Sequence, residues 1–132
     1  MENKEQELMF KLSMFGQQIQ QLQQQIQAVE QGLVEMESLN LGLSELVGSV
    51  GKEIFAPIGR GIFVKAKLVS EDLIVDVGEK KFVKKNIPKT KELIEEQIEK
   101  LKEVKKELEE NLEKVSEEIQ EVMEEEQKKN KR

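Results

Sequence analysis

The sequence contains no cysteine, histidine, tryptophan or tyrosine, and these absences exclude several kinds of site. Without cysteine the chain has no disulfide and no thiolate metal site, and without histidine it lacks most nucleophile–base pairs and ordinary zinc sites. Acidic neighbours such as Glu71 and Asp72 have the composition of a turn. We therefore predict that the protein is not an enzyme and holds neither a metal ion nor a cofactor.

Aromatic residues are also scarce, at 4%, whereas charged residues make up 36% of the 132 residues. Such a composition cannot surround a large globular core, so the apolar residues must form narrow seams, as in a coiled coil. The formal net charge of −6 opposes non-specific binding to nucleic acid or to an anionic membrane. Because no apolar run reaches about eighteen residues and no signal-peptide pattern is present, we expect a cytoplasmic protein without nucleic-acid or membrane partners.

The N-terminal part of the chain carries a long heptad pattern, which predicts a helix over residues 5–47. Its a positions are Leu12, Ile19, Ile26, Leu33, Asn40 and Val47, and its d positions are Leu8, Phe15, Leu22, Val29, Met36 and Leu43. Asn40 is the polar exception, and a polar residue at an a position fixes register at a cost in stability. Gly42, Gly48 and Gly51 predict the end of the helix.

A second heptad pattern predicts a helix over residues 89–127, with Pro88 near its first turn and Thr90 as a cap. The apolar seam is broken at one a position, by Lys105. Its members are Ile94, Ile98, Leu101, Lys105, Leu108, Leu112, Val115, Ile119 and Val122. The outer positions are Glu and Lys, typical of a solvated face, and residues 124–132 are expected to fray because they lack a seam.

Residues 52–85 separate the two heptad regions and have the composition of β-structure. Four strand-like segments, 53–58, 61–69, 73–77 and 81–84, are divided by glycines and by the turn at 70–72. Pro57 confines its strand to an edge or a bulge, because proline cannot donate to a ladder. The simplest assembly is two hairpins in series. Two hairpins have too little core to stand alone in water, so their apolar faces require a partner sheet.

The β insert returns the chain, so the two helices can meet only in antiparallel orientation. We therefore predict an α+β fold over residues 1–132: a single domain, with a long antiparallel two-helix coiled coil joined by two small β-hairpins. Both chain termini lie at its free end, which we call the tip.

Apolar residues depart from the heptad at the tip. Phe10 and Met14 fall at f and c positions, which point away from a two-stranded seam, and Met9 and Met123 fall at e positions. Scattered surface apolar residues need no explanation. Met and Phe concentrated at a polar tip, however, favour an adaptable binding surface, since Met repacks around differing partners. Burying one such side chain contributes about 1.5–3 kcal/mol, and a millimolar interaction needs about 4 kcal/mol, so one tip binds weakly and several tips must act together.

The β insert resembles the alpha class of prefoldin subunits. The similarity lies in APIGRGIFVKAK at 56–67, LIVDVG at 73–78 and FVKK at 82–85, and it extends through the flanking helices over nearly the whole chain. The prefoldin family has an alpha class with two hairpins and a beta class with one.

The resemblance implies an ATP-independent holdase chaperone. Its hairpins join those of neighbouring subunits in a β-barrel platform, usually of two alpha-class and four beta-class subunits, and its coiled-coil tips hold unfolded proteins and pass them to a group II chaperonin. The client-binding residues implied at the tip are Leu8, Met9, Phe10, Leu12, Met14, Ile119, Val122 and Met123. The platform residues implied are Ile54, Phe55, Ile58, Ile62, Val64, Leu73, Val75, Val77, Phe82 and Val83.

Two alternatives stay open at this point. Divergent alpha-class members assemble with themselves into filaments, and the nearly uncharged, Gln-rich first helix departs from a typical hexamer-forming member. A structural coiled-coil adaptor, whose tips grip one defined partner without general chaperone activity, is the second alternative.

Overall fold

The computed structural model describes residues 2–130, with side chains over 3–128. The predicted domain range also includes residues 1, 131 and 132, which lie outside the described residues. The elements in chain order are α1 (Glu2–Leu46), β1 (Glu53–Gly59), β2 (Ile62–Lys67), β3 (Leu73–Asp76), β4 (Phe82–Lys85) and α2 (Ile87–Asn130). Two long antiparallel helices joined by two hairpins confirm the predicted α+β fold.

The contacts within the chain group into two compact units. The first, here called the helical unit, contains Met1–Leu33 and Lys100–Arg132, and the second, the hairpin unit, contains Val34–Glu99. Each unit has its own part of α1 and α2, and the hairpin unit also holds all four strands.

The helical unit is held together by the predicted heptad seam. Seam residues are half-buried while most of the residues between them are exposed, which is the pattern of a narrow coiled-coil contact. They are Leu8, Leu12, Phe15, Ile19, Leu22, Ile26, Val29, Leu33, Leu101, Lys105, Leu108, Leu112, Val115, Ile119 and Val122. Lys105 keeps its place in the seam because its Nζ lies 3.5 Å from Glu30 Oε1 on α1 and 3.7 Å from Glu109 Oε1 on α2.

The hairpin unit contains the most deeply buried residues of the described part of the chain. The buried apolar side chains are Leu43, Ile87, Ile94 and Ile98, and Thr90 is buried with them. Asn40 also lies here, and its Oδ1 atom is buried without a hydrogen-bond partner among the described residues. A buried, unsatisfied amide oxygen carries a desolvation cost of about 1–3 kcal/mol, as expected of a polar residue at an a position.

Both helices end differently from the prediction. The seam was predicted to include Val47, but α1 ends at Leu46 and Val47 is exposed. Gly42 lies inside α1, and the chain turns only at Gly48, where φ is 76° and glycine carries no steric penalty. α2 begins at Ile87 and continues to Asn130, beyond the predicted bounds of 89 and 127. Its last turns consist mainly of Glu, Lys and Gln, which are strong helix formers.

Asn86, and not Thr90, caps the start of α2. The backbone N–H of Lys89 donates to Asn86 Oδ1 at 2.8 Å, which satisfies one of the donors left free at a helix N-terminus. Thr90 lies inside the first turn, where its Oγ1 donates to the Asn86 carbonyl oxygen at 2.9 Å. Thr90 is therefore a buried first-turn residue, and the predicted cap was four residues too late.

The first hairpin, β1–β2, is antiparallel and contains a bulge beside Pro57, where the sequence predicted either an edge strand or a bulge. Its register runs from Glu53↔Lys67 to Pro57↔Phe63 and then shifts to Gly59↔Ile62, so Ile58 is the extra residue. The two-residue turn at Arg60 and Gly61 has φ values of 50° and 79°. A hairpin turn with two positive φ values has a backbone twist that matches the right-handed twist of the flanking strands.

The second hairpin, β3–β4, forms a separate two-stranded sheet in the described chain, from Leu73↔Lys85 to Asp76↔Phe82. Its turn is held by Asp76 Oδ1, which accepts from the Gly78 N–H at 2.9 Å, and by the Lys81 N–H, which donates to the Gly78 carbonyl oxygen at 3.0 Å. The two hairpins are thus consecutive along the chain and are not paired with each other.

The link between the hairpins is tied to the end of α1. The Asp72 N–H donates to Ser70 Oγ at 3.0 Å, which forms the predicted turn. Glu71 Oε1 accepts a hydrogen bond from the Gly48 N–H at 2.5 Å. The carboxylate of this turn is therefore bonded to the backbone just after the end of α1.

Replacing Asn40 with Leu is expected to stabilise the protein by about 1–3 kcal/mol, because it removes an unsatisfied buried oxygen from an a position. Chemical denaturation followed by circular dichroism measures the change. Ser38→Leu is the matched control, since Ser38 is exposed on the same helix and its replacement buries no new surface. An unchanged or lower stability of Asn40→Leu would mean that the amide has a partner that stabilises it.

Replacing Asn86 with Ala is expected to cost about 1 kcal/mol, since the Lys89 N–H then loses its acceptor. Asn86→Asp keeps an acceptor oxygen at the same position and should retain most of the stability. The same denaturation experiment compares the two variants. Equal losses in both would show that the cap contributes nothing and that another feature of Asn86 matters.

Candidate binding surfaces

The tip residues predicted from the sequence fall into two groups in the helical unit. Met9, Phe10, Met14 and Met123 have 70, 67, 46 and 52% of their surface exposed. Leu8, Leu12, Ile119 and Val122 are half-buried in the seam. The exposed group can therefore contact a partner without any change in the coiled coil. The half-buried group packs in the seam between α1 and α2.

The exposed apolar residues at the start of α1 form one ridge, here called the tip ridge: Met9, Phe10 and Met14. Phe10 and Met14 are four residues apart, so they lie on the same helix face, and Met9 is the neighbour of Phe10. The rest of the exposed surface nearby is charged or Gln-rich.

Two grooves lie where α1 and α2 meet in this unit. The first has a volume of about 230 Å³ and is bordered by Leu8 and Val122 together with charged side chains of both helices. The second has a volume of about 350 Å³ and is lined by Lys11, Met14, Phe15, Gln18, Glu118, Glu121 and Val122. The structure thus brings predicted residues from both helices together. The second groove also contains residues that were not predicted at the tip, namely Lys11, Phe15, Gln18, Glu118 and Glu121.

The strands of the first hairpin carry apolar residues on both faces. Ile54, Ala56 and Ala66 are half-buried on one face, whereas the opposite face exposes Phe55 and its near neighbour Phe63. Phe63 was not among the predicted platform residues, although its position two residues before Lys65 places it on the Phe55 face.

The second hairpin has the same two-faced character. Leu73 and Val75 are half-buried on one face, and Ile74 and Phe82 are exposed on the other. Ile74 was also missed by the sequence reasoning. Most of the predicted platform residues are exposed: Phe55, Ile58, Ile62, Val64, Val77, Phe82 and Val83.

A larger apolar groove, of about 560 Å³, lies inside the hairpin unit. It is lined by Met36, Leu39, Leu43, Leu73, Ile74, Val75, Asp76, Thr90, Leu93, Ile94 and Gln97. All four residues of β3 border it, and within the described chain β3 is paired with β4 on one side only. The groove therefore combines an open strand edge with an apolar wall from α1 and α2, a geometry that suits an added extended strand.

Among residues 2–130, no cluster of three or more acidic side chains is arranged to hold a metal ion. None of the helices described is long and apolar enough to cross a membrane.

The sequence matches the Prefoldin family, described as Prefoldin subunit, over residues 15–132. The tip ridge therefore lies just before the matched residues. The chain is similar to the protein named Prefoldin subunit alpha of Methanobrevibacter smithii, with 34% identity over 89 residues, which are 67% of this chain and 61% of the relative. It is also similar to Prefoldin subunit alpha of Methanosphaera stadtmanae, with 27% identity over 88 residues, 67% of this chain and 64% of the relative.

The matched stretch thus spans less than two thirds of the curated relatives. A solved chain with the same fold comes from the cryo-EM structure of filamentous PFD from Methanocaldococcus jannaschii. Its TM-score is 0.77 at 20% identity, and the superposition covers 87% of this chain and 97% of that one. Family match, helices and two hairpins agree with the resemblance seen in the sequence, and the chain belongs to the prefoldin family.

Proposed function

We propose that this chain is a subunit of an ATP-independent holdase, which captures unfolded proteins at its tip and delivers them to a group II chaperonin. The observation that carries the proposal is the tip ridge, where Met9, Phe10 and Met14 are exposed in a part of α1 whose other exposed residues, from 3 to 27, are charged, polar or glycine. A contiguous exposed apolar ridge with polar surroundings suits a protein that holds apolar segments of other chains.

The ridge has the properties needed for broad and weak capture. Hydrophobic burial is non-directional, so it does not depend on the order of residues in the client, and the flexible thioethers of Met9 and Met14 can repack around different side chains. Each side chain buried contributes about 1.5–3 kcal/mol. Binding of this kind needs no nucleotide, because release requires only that the client bury its apolar residues elsewhere.

A useful affinity for the client then depends on several tips held on one platform. Once one tip has bound, the others are at a high effective concentration near the same client, so overall affinity rises without stronger contacts at any single tip. The hairpins supply surfaces for such a platform: Phe55, Phe63, Ile74 and Phe82 are exposed, and β3 presents an open edge beside an apolar groove. Two-stranded hairpins of this length are marginal in water without further strands. Because the chain belongs to the prefoldin family, the resemblance implies that the partners are beta-class prefoldin subunits, in a cytoplasmic hetero-hexamer of two alpha and four beta subunits.

A second candidate is a subunit that assembles with itself into filaments. It is favoured by one observation, the whole-chain likeness in fold to a chain of filamentous PFD. In that case the open strand edges pair with copies of the same chain. The third interpretation, an adaptor, differs from both because it would hold one defined partner and not several unrelated unfolded proteins.

The tip ridge is expected to carry client capture. In the assembled complex, changing Met9, Phe10 and Met14 together to Ser should reduce the suppression of aggregation of several unrelated denatured proteins at least several-fold, because the exposed apolar area is lost. Light scattering of the denatured proteins measures the suppression. The control changes Val34, Leu41 and Val104 to Ser, which are equally helical and exposed but lie outside the ridge. Equal suppression by both variants and the parent would contradict the assignment, and suppression with a single client only would support an adaptor.

The purified chain alone is expected to form small species of one or two chains, because its platform lacks the partner strands. Light scattering across a concentration series measures the mass, and addition of a beta-class subunit should produce a discrete hexamer. Ile74→Lys should weaken that assembly, while Val69→Lys, at a residue exposed outside the strands, should not. An open-ended, concentration-dependent mass for the chain alone would support the filament instead.

A further inference from the structure

The groove of 350 Å³ in the helical unit combines an apolar floor with an acidic wall. Phe15 and Val122 are half-buried beneath it, and Met14, which belongs to the tip ridge, borders it. Glu118 and Glu121 on α2 line the opposite side. The groove is therefore continuous with the proposed client-binding surface, but its chemistry differs from that of the ridge.

The carboxylates of this groove are available to a partner. Glu118 and Glu121 are exposed, and within the part of the chain that the structure describes neither has a basic side chain within 4 Å. Lys11 is the one basic residue that lines the groove.

The surrounding sequence increases the negative potential at this groove. Residues 117–126 of α2 contain six Glu and no Lys or Arg, whereas residues 12–29 of α1 contain no charged residue at all. Within the groove Lys11 therefore offsets part of the negative charge, and residues 12–29 of α1 add no further cation.

This combination fits a long cationic side chain. The methylene stem of Lys or Arg can pack on Phe15 and Val122 while its charged end stays in water beside Glu118 and Glu121. A Leu or Phe side chain can use only the apolar floor, and an acidic side chain meets like charge, which disfavours it.

We propose that this groove makes capture selective for charge: among unfolded chains, the tip prefers apolar segments that contain Lys or Arg. The inference rests on the proposed holdase function and specifies its substrate class. The apolar ridge supplies affinity for any unfolded chain, and the carboxylates rank the segments that compete for it. Because the carboxylates are exposed, two of them change affinity by about fivefold, and salt screens the effect.

The test uses the assembled complex and three labelled unstructured peptides with the same apolar residues. They differ only in four positions, which are Lys in one peptide, Gln in the second and Glu in the third. Fluorescence anisotropy measures the dissociation constant of each at low ionic strength and again at high ionic strength. We expect the order Lys, Gln, Glu from tightest to weakest, with a Lys-to-Gln ratio of about five at low ionic strength that falls towards one in high salt.

The variant that locates the effect is Glu118→Gln with Glu121→Gln. It should reduce the affinity for the Lys peptide to that for the Gln peptide and leave the affinity for the Gln peptide unchanged. The matched control is Glu107→Gln with Glu110→Gln, which removes the same charge at the same spacing from an exposed face of α2 outside the groove. The control should keep at least half of the preference for Lys.

Several results would overturn the inference while leaving the holdase intact: equal affinity for the three peptides, equal effects of the two double variants, or equal loss for the Lys and Gln peptides. Competition by a native basic protein as strong as that by the Lys peptide would assign the groove to a folded partner surface and would likewise overturn it. Failure of all three peptides to bind would overturn the proposed holdase function itself.

Discussion

Half-buried apolar side chains at heptad spacing hold α1 against α2, and the other features of the chain depend on that narrow contact. In the helical unit no described side chain is fully buried, so its cohesion is the sum of many partial burials along the seam. Only four apolar side chains are buried in the described chain, and all belong to the hairpin unit. With so few buried side chains, the fold is stabilised mainly by the many half-buried seam contacts that recur along the helices.

The same narrow contact leaves a large share of the apolar residues exposed. A helix in a two-stranded seam covers little more than its a and d positions, so apolar residues at other positions meet solvent unless a partner covers them. In this chain they include the tip ridge at the start of α1 and several strand residues, which are the places where clients and neighbouring subunits are proposed to bind, and others such as Val34 and Leu41 lie elsewhere on α1. The narrow seam and the exposed apolar residues proposed to bind partners therefore have one physical origin.

Polar residues within the seam show how its register is specified. Lys105 interrupts the apolar pattern and is matched by Glu30 on the facing helix, so a shift by one heptad would separate the two charges. Asn40 lowers stability, because its oxygen is buried without a partner among the described residues. The Lys105–Glu30 pair restricts the alternatives that a repetitive apolar pattern would otherwise permit, and a polar residue at an a position such as Asn40 is expected to act in the same sense.

The sequence by itself determined the two heptad seams, the break at Lys105 and the two consecutive hairpins, and it restricted Pro57 to an edge or a bulge. These features follow from periodicity and from the missing N–H of proline, which act locally and leave clear patterns. Only the tertiary structure decided where the helices end and which strand residues are exposed. Gly42 stays helical and Asn86 caps α2 because helix ends depend on which hydrogen bonds the folded chain can complete. Likewise, both faces of each hairpin are apolar, so alternation alone could not show that Phe63 and Ile74 are exposed, and only the folded chain distinguishes the exposed face from the half-buried one.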